Sequence, residues 1–352
     1  KNATVNASNT SNVVYFNQAN KATWETATGV TATTHNDGLK LLDNTGLASN
    51  YTITSDSFAI TQRVLNSSGT RLYDATTNAS SSDLTLSNLV GSETLNLSGT
   101  GSVANANVAS NKTVTVGTLA LADNSGLAAN YTLSGGTHQL TVNRRPLAAT
   151  IARQYDGTKT AAGSDLSSFD ALQGGETLTL SGSGTAADDN VSNGISVSSL
   201  GSLALVNGTG LASNYSLSSA AINITPKTLN LSGTKIYDAN TTFGNSIVTV
   251  SSGLIGSETL NLTGVVNTNS ANVNTYSASG GTINGGSTSI ALADGTNGGL
   301  ASNYTINDGV FTITKKAISL SGTRLYDATT DAIASDLTTM SGLVGSETLN
   351  LS

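Results

Sequence analysis

The stretch Arg153-Gln154-Tyr155-Asp156-Gly157-Thr158 contains a basic residue, one intervening position and Tyr-Asp, and this pattern occurs four times in the chain. The other copies are Arg71/Tyr73/Asp74, Lys235/Tyr237/Asp238 and Arg324/Tyr326/Asp327. Successive Tyr-Asp pairs are 82, 82 and 89 residues apart. That period suits a small domain and is too long for one coil of a solenoid, so it predicts a tandem array of domains that fold by themselves.

Two further landmarks recur in the same order around each Tyr-Asp pair. The first is Glu-Thr-Leu, with Glu93, Glu176, Glu258 and Glu347. The second is Gly-Leu-Ala-(Ser/Ala)-Asn-Tyr, with Tyr51, Tyr131, Tyr215 and Tyr304. The distance from the Glu to the Asn-Tyr tyrosine is 38, 39 and 46 residues in successive copies. The longest copy is therefore predicted to carry its extra residues in a surface loop at 267–286.

The ends of the repeats follow from the segment that begins at Asn-Tyr. Residues 130–142 and 304–314 alternate apolar and polar residues on both sides of a Gly-containing turn, which predicts a hairpin. A basic residue follows each such segment, and the only two prolines, Pro146 and Pro226, fall at these junctions. We therefore predict complete domains at 63–144, 145–226 and 227–315, with a partial or divergent repeat at 1–62 and a truncated one at 316–352. Since the junctions are short, we expect an extended rod.

Composition predicts an all-β fold. The apolar residues are mostly Val, Leu, Ile and Ala among Thr, Ser, Asn and Gly, a mixture that suits half-buried strands and tight turns. About seven short strands with frequent turn signals in the second domain indicate a small β-sandwich-like domain. The Asn-Tyr tyrosine resembles the tyrosine corner of such folds, in which the hydroxyl pins a turn.

Charge and cysteine content exclude some classes of protein. A net charge of −7 and the lack of a basic stripe argue against nucleic acid as a partner. The chain has no cysteine, which fits both a cytosolic protein and a large bacterial exoprotein. No apolar run is long enough to span a bilayer, and we expect the chain to be part of a longer protein.

Together these motifs carry a resemblance to a family. Basic-x-Tyr-Asp-(Ala/Gly)-x-Thr, Gly-(Ser/Gly)-Glu-Thr-Leu and Ala-x-Asn-Tyr resemble the YDG/MBG-type repeats of large bacterial surface proteins, many of them filamentous-haemagglutinin-like and exported by two-partner secretion. The resemblance covers about 63–352 and implies an extracellular, outer-membrane-associated adhesin stalk or matrix protein. Residues 1–45 match poorly, and Trp24 has no counterpart. Only Gly157 supplies the Gly after Tyr-Asp, so we expect no need for positive φ in the three Tyr-Asp-Ala copies.

Catalysis is not expected. The two histidines, His35 and His138, are not at equivalent positions, and His138 is predicted to be an exposed strand residue. No serine has a recognisable activating base. Four of the five glutamates occupy one repeated position, which favours a structural role. No cofactor is predicted, although the acidic loop at 187–190 leaves a structural calcium ion open.

Two hypotheses for the function remain open. In the first, the repeats are a passive stalk whose partners are neighbouring repeats of the same chain. In the second, each repeat weakly binds host or bacterial surface glycans or matrix polysaccharide, and repetition supplies avidity. The stalk hypothesis predicts that the landmark tyrosines Tyr131, Tyr155, Tyr215 and Tyr237 are largely buried, with their hydroxyls bonded to backbone. We also predict partly buried ion pairs within each domain, namely Arg71–Glu93, Arg153–Glu176, Lys235–Glu258 and Arg324–Glu347.

Overall fold

A computed structural model describes residues 50, 61–279, 282–283 and 289–352. Within these residues every regular element is a β-strand or a single 3-10 turn, so the predicted all-β fold is confirmed. The predicted partial repeat at 1–62, with Tyr51 and Trp24, lies almost entirely outside the described residues.

The strands follow the sequence repeats. The first repeat contains β1 (Arg63–Val64), β2 (Asn66–Leu72), β3 (Asn78–Ser80), β4 (Leu84–Ser87), β5 (Asn96–Ser98), β6 (Thr100–Ser102), β7 (Ala109–Thr113), β8 (Ala120–Ala122), β9 (Tyr131–Thr132) and β10 (His138–Asn143). The second contains β11 (Arg145–Gln154), β12 (Thr160–Ala162), β13 (Leu166–Phe169), β14 (Leu178–Ser181), β15 (Ser183–Ala186), β16 (Ser192–Ser199), β17 (Ala204–Asn207) and β18 (Tyr215–Thr225).

The third repeat and the half-repeat that follows it complete the described strands. The third contains β19 (Lys227–Ile236), β20 (Thr242–Gly244), β21 (Val248–Ser252), β22 (Leu260–Thr263), β23 (Val265–Asn267), β24 (Asn274–Ser279), β25 (Thr282–Ile283), β26 (Ala291–Asp294) and β27 (Tyr304–Thr314). The half-repeat contains β28 (Ser319–Ser321) and β29 (Thr339–Ser341). Single 3-10 turns lie at Ser81–Asp83, Ala128–Asn130, Gly163–Asp165, Ala212–Asn214, Ala301–Asn303 and Ala334–Asp336.

The first long strand of each complete repeat is an interior strand of its main sheet. The strand orders are β4-β2-β10-β7 in the first repeat, β12-β15-β16-β18-β11-β13 in the second and β21-β19-β27-β24-β25 in the third. In each sheet the first long strand of the repeat is hydrogen-bonded to the last strand, and this pairing is parallel for β2 with β10 and for β19 with β27. The beginning and the end of a repeat therefore lie side by side.

The predicted terminal hairpins are wrong. Residues 215–225 and 304–314 each form one continuous strand, β18 and β27. The turn predicted at Asn307-Asp308-Gly309 is a bulge, because Leu229 is opposite Ile306 and Asn230 is opposite Asp308. Gly309 leaves room for an aromatic ring, since an added Cβ would lie 2.6 Å from the Phe311 ring. In the first repeat, β9 and β10 both pair in parallel with the strands that open the repeat, so they do not form a hairpin either.

The loop predicted at 267–286 is also partly wrong. Its residues 274–279 form β24, which pairs antiparallel with β27 and extends the main sheet of the third repeat. Residues 280–281 and 284–288 lie outside the described part of the chain.

The core of the second repeat is built by alternation along two neighbouring strands. Ala149 and Ile151 of β11 and Ile222 and Ile224 of β18 are buried, while the residues between them are more exposed. A two-stranded sheet of β14 and β17 covers this face, and its Leu180 packs into the same cluster. Burying each large aliphatic side chain contributes about 1.5–3 kcal/mol, so this two-layer packing stabilises the repeat.

The chain divides into two compact units, and residues of the second repeat are shared between them. The first unit comprises residues 1–146, 172–177 and 209–216, and the second comprises 147–171, 178–208 and 217–352. The two short segments of the second repeat that belong to the first unit carry Glu176 and Asn214-Tyr215. Two landmarks of the second repeat thus lie with the first repeat.

Candidate functional site: the tyrosine–glutamate junctions between repeats

The Tyr-Asp motif forms a tight turn whose aspartate is the organising group. In the first repeat, Asp74 Oδ1 accepts hydrogen bonds from the backbone N–H and the hydroxyl of Thr76, both at 2.9 Å. Arg71 forms an ion pair with the same oxygen and donates to the Thr76 carbonyl at 2.6 Å. Burial opposes ionisation of Asp74, but the bonds from Thr76 and Arg71 hold its pKa below the usual value. The turn therefore has its own local electrostatic support.

The turn needs positive φ in all four copies, contrary to the prediction. The residue after Tyr-Asp has a φ of 61° at Ala75, 71° at Gly157, 58° at Ala239 and 65° at Ala328. An L-residue in this conformation costs roughly 1–2 kcal/mol. The bonds around the aspartate hold the three alanines in this conformation nevertheless.

The predicted ion pairs between the basic landmark and the glutamate are wrong. Among the described residues, each basic landmark pairs with the aspartate three positions later: Arg71 with Asp74, Arg153 with Asp156, Lys235 with Asp238 and Arg324 with Asp327. The local pair forms because the turn brings residues three apart together. This arrangement leaves the glutamates to accept other donors.

Glu176 joins two tyrosines from consecutive repeats within the first compact unit. Tyr73 of the first repeat donates its hydroxyl to Glu176 Oε1 at 2.6 Å, and Tyr215 of the second repeat donates to Oε2 at 2.5 Å. The two rings pack edge to face, with centroids 5.2 Å apart and an interplanar angle of 79°. Such a ring pair contributes about 0.5–1.5 kcal/mol beyond the burial of its area.

The same three-residue cluster recurs at the next junction, within the second compact unit. Tyr155 of the second repeat donates to Glu258 Oε1 at 2.6 Å, and Tyr304 of the third repeat donates to Oε2 at 2.5 Å. The Tyr155 and Tyr304 rings are again edge to face, at 5.4 Å and 78°. Landmarks that are far apart in sequence thus form one site per junction.

Each of the three described Asn-Tyr tyrosines also has the backbone bond expected of a tyrosine corner. The hydroxyl of Tyr215 accepts the Gln173 N–H at 3.1 Å, and that of Tyr304 accepts the Ile255 N–H at 3.1 Å. Tyr131 similarly accepts the Val90 N–H at 3.2 Å. The prediction of hydroxyls bonded to backbone therefore holds for these tyrosines.

The prediction of hydroxyls bonded to backbone is wrong for the Tyr-Asp tyrosines Tyr155 and Tyr237, which donate to side chains. The hydroxyls of Tyr73, Tyr155 and Tyr237 are bonded to glutamate side chains of the following repeat. Tyr73 and Tyr155 are buried, as are Tyr131 and Tyr215, whereas Tyr237 is only half-buried.

The asparagines before Tyr215 and Tyr304 form a second contact that the sequence analysis missed. Asn214 accepts the Val108 N–H at 3.0 Å and donates to the Asn107 side chain at 3.0 Å. Asn303 is 0% exposed; it likewise accepts the Val191 N–H and donates to the Asn190 side chain. Each asparagine therefore holds a loop of the preceding repeat. The sequence signal for this contact is that an asparagine precedes the landmark tyrosine in all four copies.

Burial and the shared carboxylate change the acidity of the clustered tyrosines. Burial, followed by the hydrogen bond to Glu176, raises the pKa of Tyr73 and of Tyr215 to about 12. The same causes, with Glu258 as acceptor, raise the pKa of Tyr304 to about 12 and that of Tyr155 above its usual range. The tyrosines therefore remain neutral donors over the physiological pH range.

Glu93 and Glu347 each hold one tyrosine within the described residues. Glu93 accepts the hydroxyl of Tyr131 of its own repeat, and Glu347 accepts the hydroxyl of Tyr237 of the preceding repeat. Tyr326, the fourth Tyr-Asp tyrosine, is 93% exposed. Glu93 with Tyr131, and Glu347 with Tyr237, thus each form two members of a glutamate–tyrosine cluster like those at the two junctions.

The other candidate groups have local structural roles. His138 is buried rather than exposed, with its ring nitrogens 2.9 Å from the Ser67 hydroxyl and 2.8 Å from the Leu133 carbonyl. Asp188 of the acidic loop accepts the N–H groups of Asp189 and Asn190. In the described part of the chain, no three His, Cys, Asp or Glu residues are grouped as metal ligands would be. None of the helices described there is long and apolar enough to cross a membrane.

Comparison with known proteins identifies two domains of one family. The YDG domain matches residues 59–139 and 137–223. No similar curated protein and no similar solved structure was found. The matched range contains the turns at Tyr73-Asp74 and Tyr155-Asp156 together with the first junction cluster. The match therefore supports two tandem YDG-type repeats at 59–223.

Proposed function

We propose that the repeats are the structural stalk of a secreted bacterial cell-surface adhesin or biofilm-matrix protein, which projects or links adhesive regions. The observation that carries this proposal is the use of the landmark residues. Tyr73, Glu176 and Tyr215 form a contact between consecutive repeats, and their counterparts do so at the next junction. Residues that recur with the period of the repeat thus bind the neighbouring repeat.

The chemistry of these clusters supports a role without catalysis. Both oxygens of Glu176 and of Glu258 accept tyrosine hydroxyls, so neither carboxylate is free to act as an acid or base. The tyrosines that share them are neutral donors at physiological pH, since their pKa values are raised. The location outside the cell is part of the proposal and follows from the resemblance to bacterial surface repeats.

The burial of the landmark tyrosines weighs against the alternative of weak glycan binding. A sugar-binding face needs exposed aromatic and amide side chains, because the sugar ring stacks on the former and bonds to the latter. Tyr155, Tyr215 and Tyr304 are at most 5% exposed, and the amide of Asn303 is 0% exposed. These three tyrosines and the Asn303 amide are thus inaccessible to a glycan.

A stalk requires junctions that keep consecutive repeats in a fixed orientation, and small-angle scattering tests this. The parent chain should scatter as an extended particle. The double variant Glu176→Gln, Glu258→Gln should show a broader distribution of maximum dimensions, because both junctions lose their shared charge. Asp331→Asn is the surface control, since Asp331 is exposed. A compact parent particle, or a double variant that scatters like the control, would contradict the proposal.

A glycan array on the parent chain tests the alternative. The stalk role predicts no specific binding. Specific binding that disappears when landmark tyrosines are replaced would favour the glycan-binding role instead.

A further inference from the structure

The strands that open and close a complete repeat run side by side in the same direction. In the third repeat, β19 and β27 pair in parallel over ten residue pairs, from Lys227 opposite Tyr304 to Ile236 opposite Thr314. In the first repeat, β2 and β10 pair in parallel over six residue pairs, and β1 and β9 over two more. We call this pairing of opening and closing strands the terminal clamp of a repeat.

The second repeat has the same arrangement. Strands β11 and β18 are hydrogen-bonded neighbours. Near their beginnings, the Ser218 hydroxyl donates to the Leu147 carbonyl at 2.8 Å, and near their ends the Thr225 hydroxyl donates to the Arg153 carbonyl at 3.3 Å. Since these two contacts advance together along both strands, β11 and β18 also run in the same direction. All three complete repeats therefore have a terminal clamp.

The Tyr-Asp landmark lengthens each clamp by one bond. The tyrosine directly follows the opening strand, and its backbone N–H donates at 2.9 Å to the carbonyl of the last residue of the closing strand: Tyr73 to Asn143, Tyr155 to Thr225 and Tyr237 to Thr314. The clamp therefore continues into the turn that the aspartate organises.

The chain enters and leaves each clamp at opposite ends. It enters the third repeat at Lys227, where β19 begins, and leaves after Thr314, where β27 ends. Because the strands are parallel, tension on the chain pulls β19 and β27 in opposite directions along their common axis. In an antiparallel hairpin both chain ends lie at one end of the ladder, so tension opens one residue pair at a time. Shear instead loads all ten residue pairs of this clamp together.

Sliding of the two strands disrupts bonds and side-chain packing at the same time. A donor–acceptor distance beyond about 3.5 Å is no longer a hydrogen bond, so a shift of one or two ångströms breaks the whole ladder. Leu229 and Leu231 of β19 and Phe311 and Ile313 of β27 are at most 3% exposed. The same shift therefore moves closely packed core side chains past one another.

The clamps of consecutive repeats follow one another almost without interruption. One residue, Arg144, separates β10 from β11, and one residue, Pro226, separates β18 from β19. Linkers of this length leave almost no free chain that could extend under tension. Tension therefore passes from the closing strand of one repeat to the opening strand of the next.

We propose that each complete repeat resists tension along the chain, because its terminal clamp is loaded in shear. The junction clusters hold consecutive repeats together, whereas the clamps keep each repeat folded while tension passes through it. The clamp is a property of the single repeat, and its use in holding an attached cell or matrix rests on the proposed stalk function.

Single-molecule force spectroscopy on the full chain tests the clamp through the direction of pulling alone. The chain has no cysteine, so two introduced cysteines are unique attachment points. Thr228→Cys with Lys315→Cys pulls the third repeat from opposite ends of its clamp. Ile236→Cys with Lys315→Cys is the matched control, because it pulls the same two strands from one end. All three replaced side chains are exposed, so the fold should tolerate both pairs.

The two attachments should give different rupture forces. At one loading rate, the first pair should rupture at a force at least about twice that of the control, because forced unfolding follows the unfolding barrier and shear loads the whole ladder. Rupture should lengthen the tether by about 260–290 Å, since residues 228–315 are released at about 3.3–3.6 Å each from a clamp about 30 Å long.

Equal rupture forces for the two attachments overturn the proposal, as does a sheared repeat that extends gradually without a distinct rupture. Small-angle scattering tests the stalk separately. A compact chain that nevertheless ruptures at the higher force in shear contradicts the stalk and supports the clamp. An extended chain with equal rupture forces contradicts the clamp alone.

Discussion

Glu176→Gln removes the negative charge that two buried tyrosines share. Tyr73 and Tyr215 donate to separate oxygens of Glu176, at 2.6 and 2.5 Å. A glutamine offers one carbonyl oxygen and an NH₂ group, so it can accept one hydroxyl but not both. Tyr215 already accepts the Gln173 N–H, which prevents a simple reversal of its role. One buried hydroxyl therefore loses its acceptor.

The cost follows from the kinds of bond lost. A hydrogen bond to a charged group contributes about 1.5–3 kcal/mol, against about 1 kcal/mol for a neutral bond. Two charge-assisted bonds are replaced by one neutral bond, so Glu176→Gln should destabilise the first junction by about 2–4 kcal/mol.

Hydrogen exchange read out by mass spectrometry is the suitable assay. A chain of several repeats does not unfold in one step, so a single melting temperature is poorly defined. Backbone amides in residues 172–177 and 209–216 should exchange faster by roughly thirtyfold to several hundredfold where exchange follows opening of the junction. Exchange in residues 291–314, around the second cluster, should not change.

Two further variants sharpen the test. Glu93→Gln should cost less than Glu176→Gln, because within the described residues Glu93 accepts one tyrosine hydroxyl, that of Tyr131. Arg153→Met should leave exchange at 172–177 unchanged, because Arg153 pairs with Asp156. The reasoning is refuted if Glu176→Gln exchanges like the parent, or if Arg153→Met loosens the junction as much.

Three other outcomes follow from the structure. Ala239→Gly should stabilise the third repeat by about 0.5–1 kcal/mol in denaturant titrations, since Ala239 has a φ of 58°. Gly157→Ala should destabilise the second repeat, because it places an alanine at a φ of 71° and its added Cβ would lie 2.9 Å from an Ile255 methyl carbon. The pKa of Tyr304 is raised to about 12, so in an alkaline titration followed by tyrosinate absorbance it should ionise well above the usual pKa of 10. The stability that this raised pKa contributes, at most about 3 kcal/mol, is fully present below pH 10 and is lost as the pH rises toward 12. Ionisation of Tyr304 near pH 10 would contradict this expectation. His138→Phe should cost roughly 2–4 kcal/mol by denaturation, because the buried Ser67 hydroxyl and Leu133 carbonyl lose their partner, and a neutral effect would contradict this role.

The all-β class, the period of the repeats and the recurring landmark residues can all be derived from the amino-acid sequence. Alternating apolar residues and frequent turn signals report local preferences, which a single sequence displays directly. A repeat also shows which positions are kept from copy to copy. For that reason the sequence alone identifies Tyr155, Glu258 and Tyr304 as landmarks.

Which landmarks contact one another depends on the three-dimensional fold. The partner of Glu176 is not the basic residue of its own repeat but a tyrosine 103 residues earlier, and no local pattern encodes a contact over that separation. The continuous strand β27 was hidden for a related reason. Gly309 looks like a turn residue in sequence, but it is required because the Phe311 ring lies against it. Positive φ at Ala75 was missed because bonds to Asp74 from elsewhere in the turn hold a conformation that alanine alone disfavours.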